Sequence, residues 1–246
     1  MKKVAVIADV HGNAPAFAAV LEEIEREQPD LIVSCGDLTW GPLPDETYEL
    51  ARGLNARFVR GNADRAVLER VSETEREQWM QAHHSDEMRE FLGGFEENVV
   101  VEVDGLGPVR FCHGSPRSDE ECVTPETPDE RVRELSADVD ERVIVTAHVH
   151  IQFDREAAGI RSVNAGSVGL PYEGEIAAFW ALLTAGDAEL RKTAVERGPL
   201  ERMLRASRWP HAAEVLRENV LQVVSREQAT AELEGAAAAA FVTPSE

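Results

Sequence analysis

The chain has few cysteines, almost no lysine and no long apolar run, and each shortage excludes something. Cysteine occurs three times (Cys35, Cys112, Cys122), an odd and unpatterned set. No disulfide framework is expected, and a reduced, cytoplasmic setting is. No apolar stretch approaches the roughly 20 residues that span a bilayer, so no membrane association is expected. Met1-Lys2-Lys3-Val4 leads into a strand-like run ending at Asp9, too early and too short for a signal peptide. Lysine is confined to Lys2, Lys3 and Lys192, the other 22 of the 25 basic residues being arginine, and no basic block resembles a DNA footprint. Against 46 acidic residues the net charge is −21. A field of that sign repels nucleic acid and anionic membranes, so no stable nucleic-acid partner is expected.

What is present is a chain of 246 residues, 43% apolar, enough for one sizeable core. The first sixty residues read as βαβαβ. Val4–Ala8 is a continuous apolar run of the kind a doubly covered strand shows, Leu31–Val33 reads as a second buried strand and Arg57–Arg60 as a third. Asn13 can cap a helix whose second residue is Pro15, with Phe17, Val20, Leu21 and Ile24 at helical spacing. A helix is predicted over 45–54, and polar, acidic helix over 64–95. Strands follow at Val99–Val103 and Val109–Cys112, then a loop over 116–128, a helix over 129–135 and a strand over 142–146. Further strands are predicted near 160–163, 176–183 and 189–195. Strand–helix alternation followed by adjacent strands predicts an α/β sandwich with mixed sheet. We take 1–196 as the main domain, 197–234 as a C-terminal helical extension and 235–246 as a flexible tail. Segments 64–97 and 116–128 are expected to overhang the site and select substrate. The acidic helices after Asp64 and the C-terminal helices offer surfaces for a homo-oligomer.

Seven residues able to ligate metal fall into five short motifs: Asp9 and His11, Asp37, Asn62, His113, then His148 and His150. Residues two apart on an extended chain point the same way, so Asp9 with His11, and His148 with His150, can each converge on one ion. Every motif follows a predicted strand, where open α/β sheets place their sites. Carboxylate, carboxamide and imidazole form a mixed N/O set suited to Mn²⁺, Fe or Zn²⁺ rather than Ca²⁺ or Mg²⁺.

These blocks resemble the calcineurin-like metallophosphoesterase superfamily, over roughly Val4 to Pro171. They read Asp9-Val10-His11-Gly12-Asn13, Gly36-Asp37, Gly61-Asn62-Ala63-Asp64, His113-Gly114 and Ala147-His148-Val149-His150, and Asn164–Gly169 is similar to the family's closing loop. The family's last ligand block usually begins with glycine, where this chain has Ala147. The resemblance implies a four-layer αββα sandwich with mixed sheets and C-terminal helices appended. It implies two divalent metals, one held by Asp9, His11, Asp37 and His150, the other by Asp37, Asn62, His113 and His148. Asp37 and Asn62 are thereby implicated in catalysis, through a metal-bridged hydroxide that attacks a phosphate. Two dications, two carboxylates and one hydroxide sum to about +1, attractive to phosphate within an acidic protein. Mn²⁺ is the first choice, with Fe or Zn²⁺ as alternatives.

Departures from the family pattern bear on substrate. Many members carry a histidine after the asparagine ligand, to protonate the leaving group; here that position is Ala63, and the aspartate that pairs with it would fall near Trp40. General acid catalysis is worth about 10²–10⁴-fold, so the resemblance points to the small bacterial and archaeal phosphodiesterase branch. The alternatives are a phosphomonoesterase or nucleotide phosphatase on the same site, or a non-catalytic scaffold of the same fold. Arg117 and Arg60, and also Arg65, are candidates to clamp a substrate phosphate, or else are ordinary surface arginines. Asp64 either supports a ligand imidazole or caps a helix, and Trp40 either lines the cleft or packs beneath the Gly41-Pro42 turn. His83 and His84 read as solvated, His211 as part of a helix start, and Cys35 and Cys112 as small buried apolar residues.

Overall fold

The computed structural model describes residues 1–207, 209–210, 212 and 223–242; His211 and residues 243–246 lie outside the described residues. Among the described residues, ten strands build two five-stranded mixed sheets. The first contains β1 (Val4–Ile7), β2 (Leu31–Ser34), β3 (Ala56–Phe58), β9 (Ala177–Thr184) and β10 (Asp187–Ala194), in the order β10-β9-β1-β2-β3. Here β1, β2 and β3 run parallel, while β9 is antiparallel to β1 and to β10. The second contains β4 (Val99–Val103), β5 (Gly107–Phe111), β6 (Val143–Thr146), β7 (Gln152–Ala157) and β8 (Ile160–Ala165), in the order β4-β5-β6-β8-β7. Its β5, β6 and β8 are parallel and its outer strands antiparallel.

The period-2 alternation of the strands sorts side chains into layers. Val4 and Val6 of β1 join Val33, Val101, Val109, Phe111, Val145 and Val163 in the core between the sheets. Ala5 and Ile7 point the other way, onto helices α1 (Ala14–Glu27), α2 (Pro44–Ala51), α3 (Asn62–Leu68), α4 (Glu75–Ala82) and α5 (Asp86–Gly93). On the far side of the second sheet, Cys112, Ile144 and Ile160 pack against α6 (Asp129–Leu135) through Val132. The result is the four-layer αββα sandwich with mixed sheets. Asn13 caps α1 as expected: its Oδ1 accepts from the Ala16 N–H at 3.2 Å, with a proline in the first turn. Cys35 and Cys112 are fully buried.

Two further helices complete the described chain, α7 (Arg197–Ala206) and α8 (Arg226–Val242). Leu200 and Leu204 of α7 cluster with Trp209 and with Trp79 of α4, while Ala229 and Leu233 of α8 pack with Val149, Ile151 and Phe153. Among the described residues, no helix is long and apolar enough to cross a membrane.

Two sequence expectations are corrected here. Strand β7 was not anticipated, because Asp154-Arg155-Glu156 breaks its apolar alternation; it is an edge strand, where charge is tolerated. His84 is not solvated but only 5% exposed. It sits beneath the loop after β2, with Nε2 2.9 Å from the Thr39 hydroxyl and Nδ1 2.7 Å from the Met80 carbonyl. A carbonyl only accepts, so Nδ1 carries the proton and Thr39 donates to Nε2. Burial pushes His84 down to about 4. His83 is exposed and stacks on Trp79.

Candidate metal centre

All seven candidate ligands come together where the parallel strands of both sheets end. Asp9 and His11 follow β1, Asp37 follows β2, and Asn62 opens α3 just after β3. His113 follows β5, and His148 and His150 follow β6. The backbone there is unusual. Among the described residues, eight non-glycine positions have positive φ, and five are candidate ligands: Asp9 (50°), His11 (47°), Asp37 (55°), His148 (68°) and His150 (58°). Left-handed backbone costs an L-residue roughly 1–2 kcal/mol, somewhat less for aspartate. The fold therefore holds on the order of 3–5 kcal/mol of local strain in the layer that aims these side chains.

Donor atoms converge at separations that a coordination sphere requires. Asp37 Oδ2 lies 3.6 Å from His11 Nε2 and 3.5 Å from His113 Nε2, between the two histidines. His11 Nε2 is 3.2 Å from His150 Nε2 and 3.9 Å from Asp9 Oδ1, and His150 Nε2 is 3.3 Å from Asp9 Oδ1. His113 Nε2 is 3.0 Å from Asn62 Oδ1, and its ring centroid is 5.0 Å from that of His148. Ligands at about 2.1 Å from one ion stand roughly 3.0–3.6 Å from each other in octahedral or tetrahedral geometry. Asp9, His11 and His150 form one group able to hold an ion, and Asp9, Asp37 and His113 another. Asp9 Oδ1 is buried and has no well-formed hydrogen bond, an orphaned acceptor that a cation would satisfy.

Three imidazoles have their orientation fixed from behind. Nδ1 of His113 lies 2.7 Å from the Cys35 carbonyl, Nδ1 of His150 2.6 Å from the Leu170 carbonyl and Nδ1 of His11 3.2 Å from the Trp40 carbonyl. Each Nδ1 must donate, leaving Nε2 to face the centre, as second-layer partners of metal histidines do. Tyr172 stacks on His150 at 4.8 Å, and the Ser167 hydroxyl donates to the Asp9 carbonyl at 2.7 Å. Ser167 lies in the closing block already noted, whereas nothing local in the sequence singles out Tyr172.

The charge environment is divided. Burial, then His150, pushes His11 down to about 4, and burial, then His113, does the same for His148. Burial also opposes charge on His113, but Asp37 beside it prevails and lifts it to about 10. His150 is raised likewise, burial notwithstanding, by Asp9. Asp37 is held far below the carboxylate range despite burial, by His113 and His11. Without metal, protons on His113 and His150 balance the two carboxylates.

The loop carrying Asp37 is held by Asp64, whose carboxylate accepts from the backbone N–H of Asp37 (2.8 Å), Leu38 (3.0 Å) and Gly61 (3.0 Å). Asp64 is thus not an N-cap before Ala66 but the third residue of α3, where its carboxylate caps the helix start through the Gly61 N–H and braces two ligand loops against each other. Burial and the Asp37 carboxylate raise it to about 7, against the pull of those N–H groups. The Ala63 N–H donates to Asp37 Oδ1 at 2.9 Å. Packing is tight: a Cβ at Gly61 would lie 2.1 Å from Asp37 Oδ1, and one at Gly36 (φ 96°) 2.7 Å from His113 Nδ1.

A sequence model of the calcineurin-like phosphoesterase superfamily domain matches residues 1–187. The chain belongs to this family. An uncharacterized protein of Methanocaldococcus jannaschii is 27% identical over 218 residues, 78% of this chain and 87% of that protein. A metallophosphoesterase from Sphaerobacter thermophilus superimposes with a TM-score of 0.74 at 23% identity, over 90% of this chain and 98% of its own. A hypothetical protein from Pyrococcus horikoshii superimposes at 0.73 and 22% identity, over 88% and 98%. These two likenesses establish the fold.

Beside this phosphoesterase centre a cavity of about 260 Å³ reaches from His113 to the loop over 115–119. Arg60, Arg65 and Arg117 line it, each already paired. Arg60 meets Glu97 (3.1 Å), Arg65 meets Asp119 (2.7 Å) and Glu120 (2.6 Å), and Arg117 meets Glu121 (2.8 Å) and Glu134 (3.1 Å). Trp40 is 8% exposed, packs in the core under α1 and also lines a second, smaller cavity.

Proposed function

We propose that this chain is a metal-dependent phosphodiesterase with a dinuclear centre. The observation that carries the reading is Asp37 Oδ2, placed 3.5–3.6 Å from both His11 Nε2 and His113 Nε2. A carboxylate so placed suits a bridge between one ion held with Asp9, His11 and His150 and a second held with Asn62, His113 and His148. Bound there, two divalent cations supply Lewis acidity that activates water and offsets phosphate charge. Manganese is our first choice, iron or zinc the alternatives.

The protein's part is orientation. His11, His113 and His150 are locked by their Nδ1–H bonds, Asp64 fixes the Asp37 loop, and the strained backbone sets the directions of Asp9 and His148. At position 63 only a methyl group follows the asparagine, so no imidazole there protonates the leaving group. That favours substrates with a good leaving group. Arg117 and Arg60 are the candidates to contact the substrate. Since each keeps a carboxylate partner they add little net charge, which suits a singly charged diester better than a doubly charged monoester.

The test is hydrolysis of bis-p-nitrophenyl phosphate against p-nitrophenyl phosphate with added Mn²⁺, alongside metal analysis of the purified protein. The diester should be preferred, Asp37→Asn should abolish turnover, and about two metals per chain should be found. Preference for the monoester would favour a phosphomonoesterase, and metal well below two per chain without turnover would favour a scaffold.

A further inference from the structure

The second cavity, of about 100 Å³, opens beside His11 and takes no part in the roles above. His11 and Trp40 form one side. Arg76 of α4, Leu200 and Leu204 of α7, and Trp209 just beyond α7 form the other. The slot thus joins the metal centre to the C-terminal extension, and its lining is mostly apolar. The Arg76 guanidinium lies over the Trp209 ring, 5.2 Å from its centroid, which steadies the indole plane.

Trp209 is 6% exposed, yet its indole N–H has no acceptor among the described residues. A buried donor left unpaired costs roughly 1–3 kcal/mol and is uncommon in native structures. The cavity's volume is on the order of that of a single ring, and its mostly apolar lining favours an aromatic one. A plain hydrocarbon ring would leave the N–H unpaired, whereas a ring bearing a carbonyl oxygen would satisfy it.

We propose that the slot receives the base of a nucleotide phosphodiester, of pyrimidine size, with the Trp209 N–H donating to a base carbonyl while the phosphate lies at the metal centre. This rests on the phosphodiesterase reading and names its substrate class. It also gives α7 a purpose, as the second wall of the substrate site.

Thymidine 5′-(p-nitrophenyl phosphate) and methyl p-nitrophenyl phosphate release the same leaving group and differ only in the group that stays. With Mn²⁺, the wild-type kcat/KM should favour the thymidine ester by on the order of tenfold, the worth of satisfying one buried donor. Trp209→Ala should bring that ratio toward one through KM, and Trp209→Phe, which keeps a ring but lacks the N–H, should fall between. A wild-type ratio near one, or a ratio unchanged in both variants, overturns the proposal. If neither ester is hydrolysed, the phosphodiesterase reading fails, and calorimetry with thymidine monophosphate decides the slot. Wild type should then bind more tightly than Trp209→Phe; equal binding, or none by either, overturns it.

Discussion

Replacing His148 by alanine and by glycine separates two effects that ligand substitutions ordinarily mix. Both remove the imidazole, but only glycine removes the Cβ that makes the φ of 68° unfavourable. Relief of left-handed strain is worth roughly 1–2 kcal/mol to glycine. Its greater freedom in the unfolded chain takes back about 0.4–1 kcal/mol. The net is on the order of 0.5–1 kcal/mol in favour of His148→Gly, or about 2 °C in Tm for a chain of this size. Asn62, the first residue of α3 and absent from the positive-φ set, is the internal control. There the order should invert, with Asn62→Ala more stable than Asn62→Gly by about 0.5–1 kcal/mol. Urea and thermal unfolding of all four variants in EDTA would measure this without metal. If His148→Ala equals or exceeds His148→Gly in stability, the strain assigned to the ligand layer is not there.

His84 should shape the acid limb of stability. Its pKa falls from 6.5 unfolded to about 4 folded, because burial keeps it neutral. Its contribution is thus complete above 6.5 and is lost as pH drops toward 4. The full shift corresponds to on the order of 3 kcal/mol, so His84→Gln should flatten the wild-type decline between those pH values in urea titrations. Asp64→Asn gives up one of the oxygens that accept three backbone N–H groups, and should lower stability by about 1–3 kcal/mol in urea unfolding. Gly61→Ala drives a Cβ toward Asp37 Oδ1, with 2.1 Å between them before relaxation. Metal affinity should fall about 10–100-fold, as for other supports of ligands, read by equilibrium dialysis with Mn²⁺.

The residues that face the centre were legible because ligand chemistry is local: a strand end, a glycine and a histidine lie within a few positions of one another. The Asn13 cap and the burial of Cys35 and Cys112 were legible for the same reason. His84 was not, because α4 is polar in composition and buries only Met80 in its span, and the partner of His84 is Thr39, 45 residues earlier. Asp64 was half legible: its place near a helix start was evident, but its three partners include two N–H groups across the β2 loop. The left-handed φ values at Asp9, His11, Asp37, His148 and His150 carry no mark in the sequence, since neither aspartate nor histidine requires that backbone. Strand β7 was hidden by charges that suit an edge.

The ligand set is divided between the two sheets, Asp9, His11, Asp37 and Asn62 beside the first and His113, His148 and His150 beside the second. Strand β1, which delivers Asp9 and His11, lies between β2 and β9, so its pairing is finished only by residues 177–184. A fragment ending before residue 177 therefore carries every candidate ligand but leaves β1 unpaired on one edge. A product truncated there should hold metal more weakly than the full domain, because the strand that delivers Asp9 and His11 is left as a free edge.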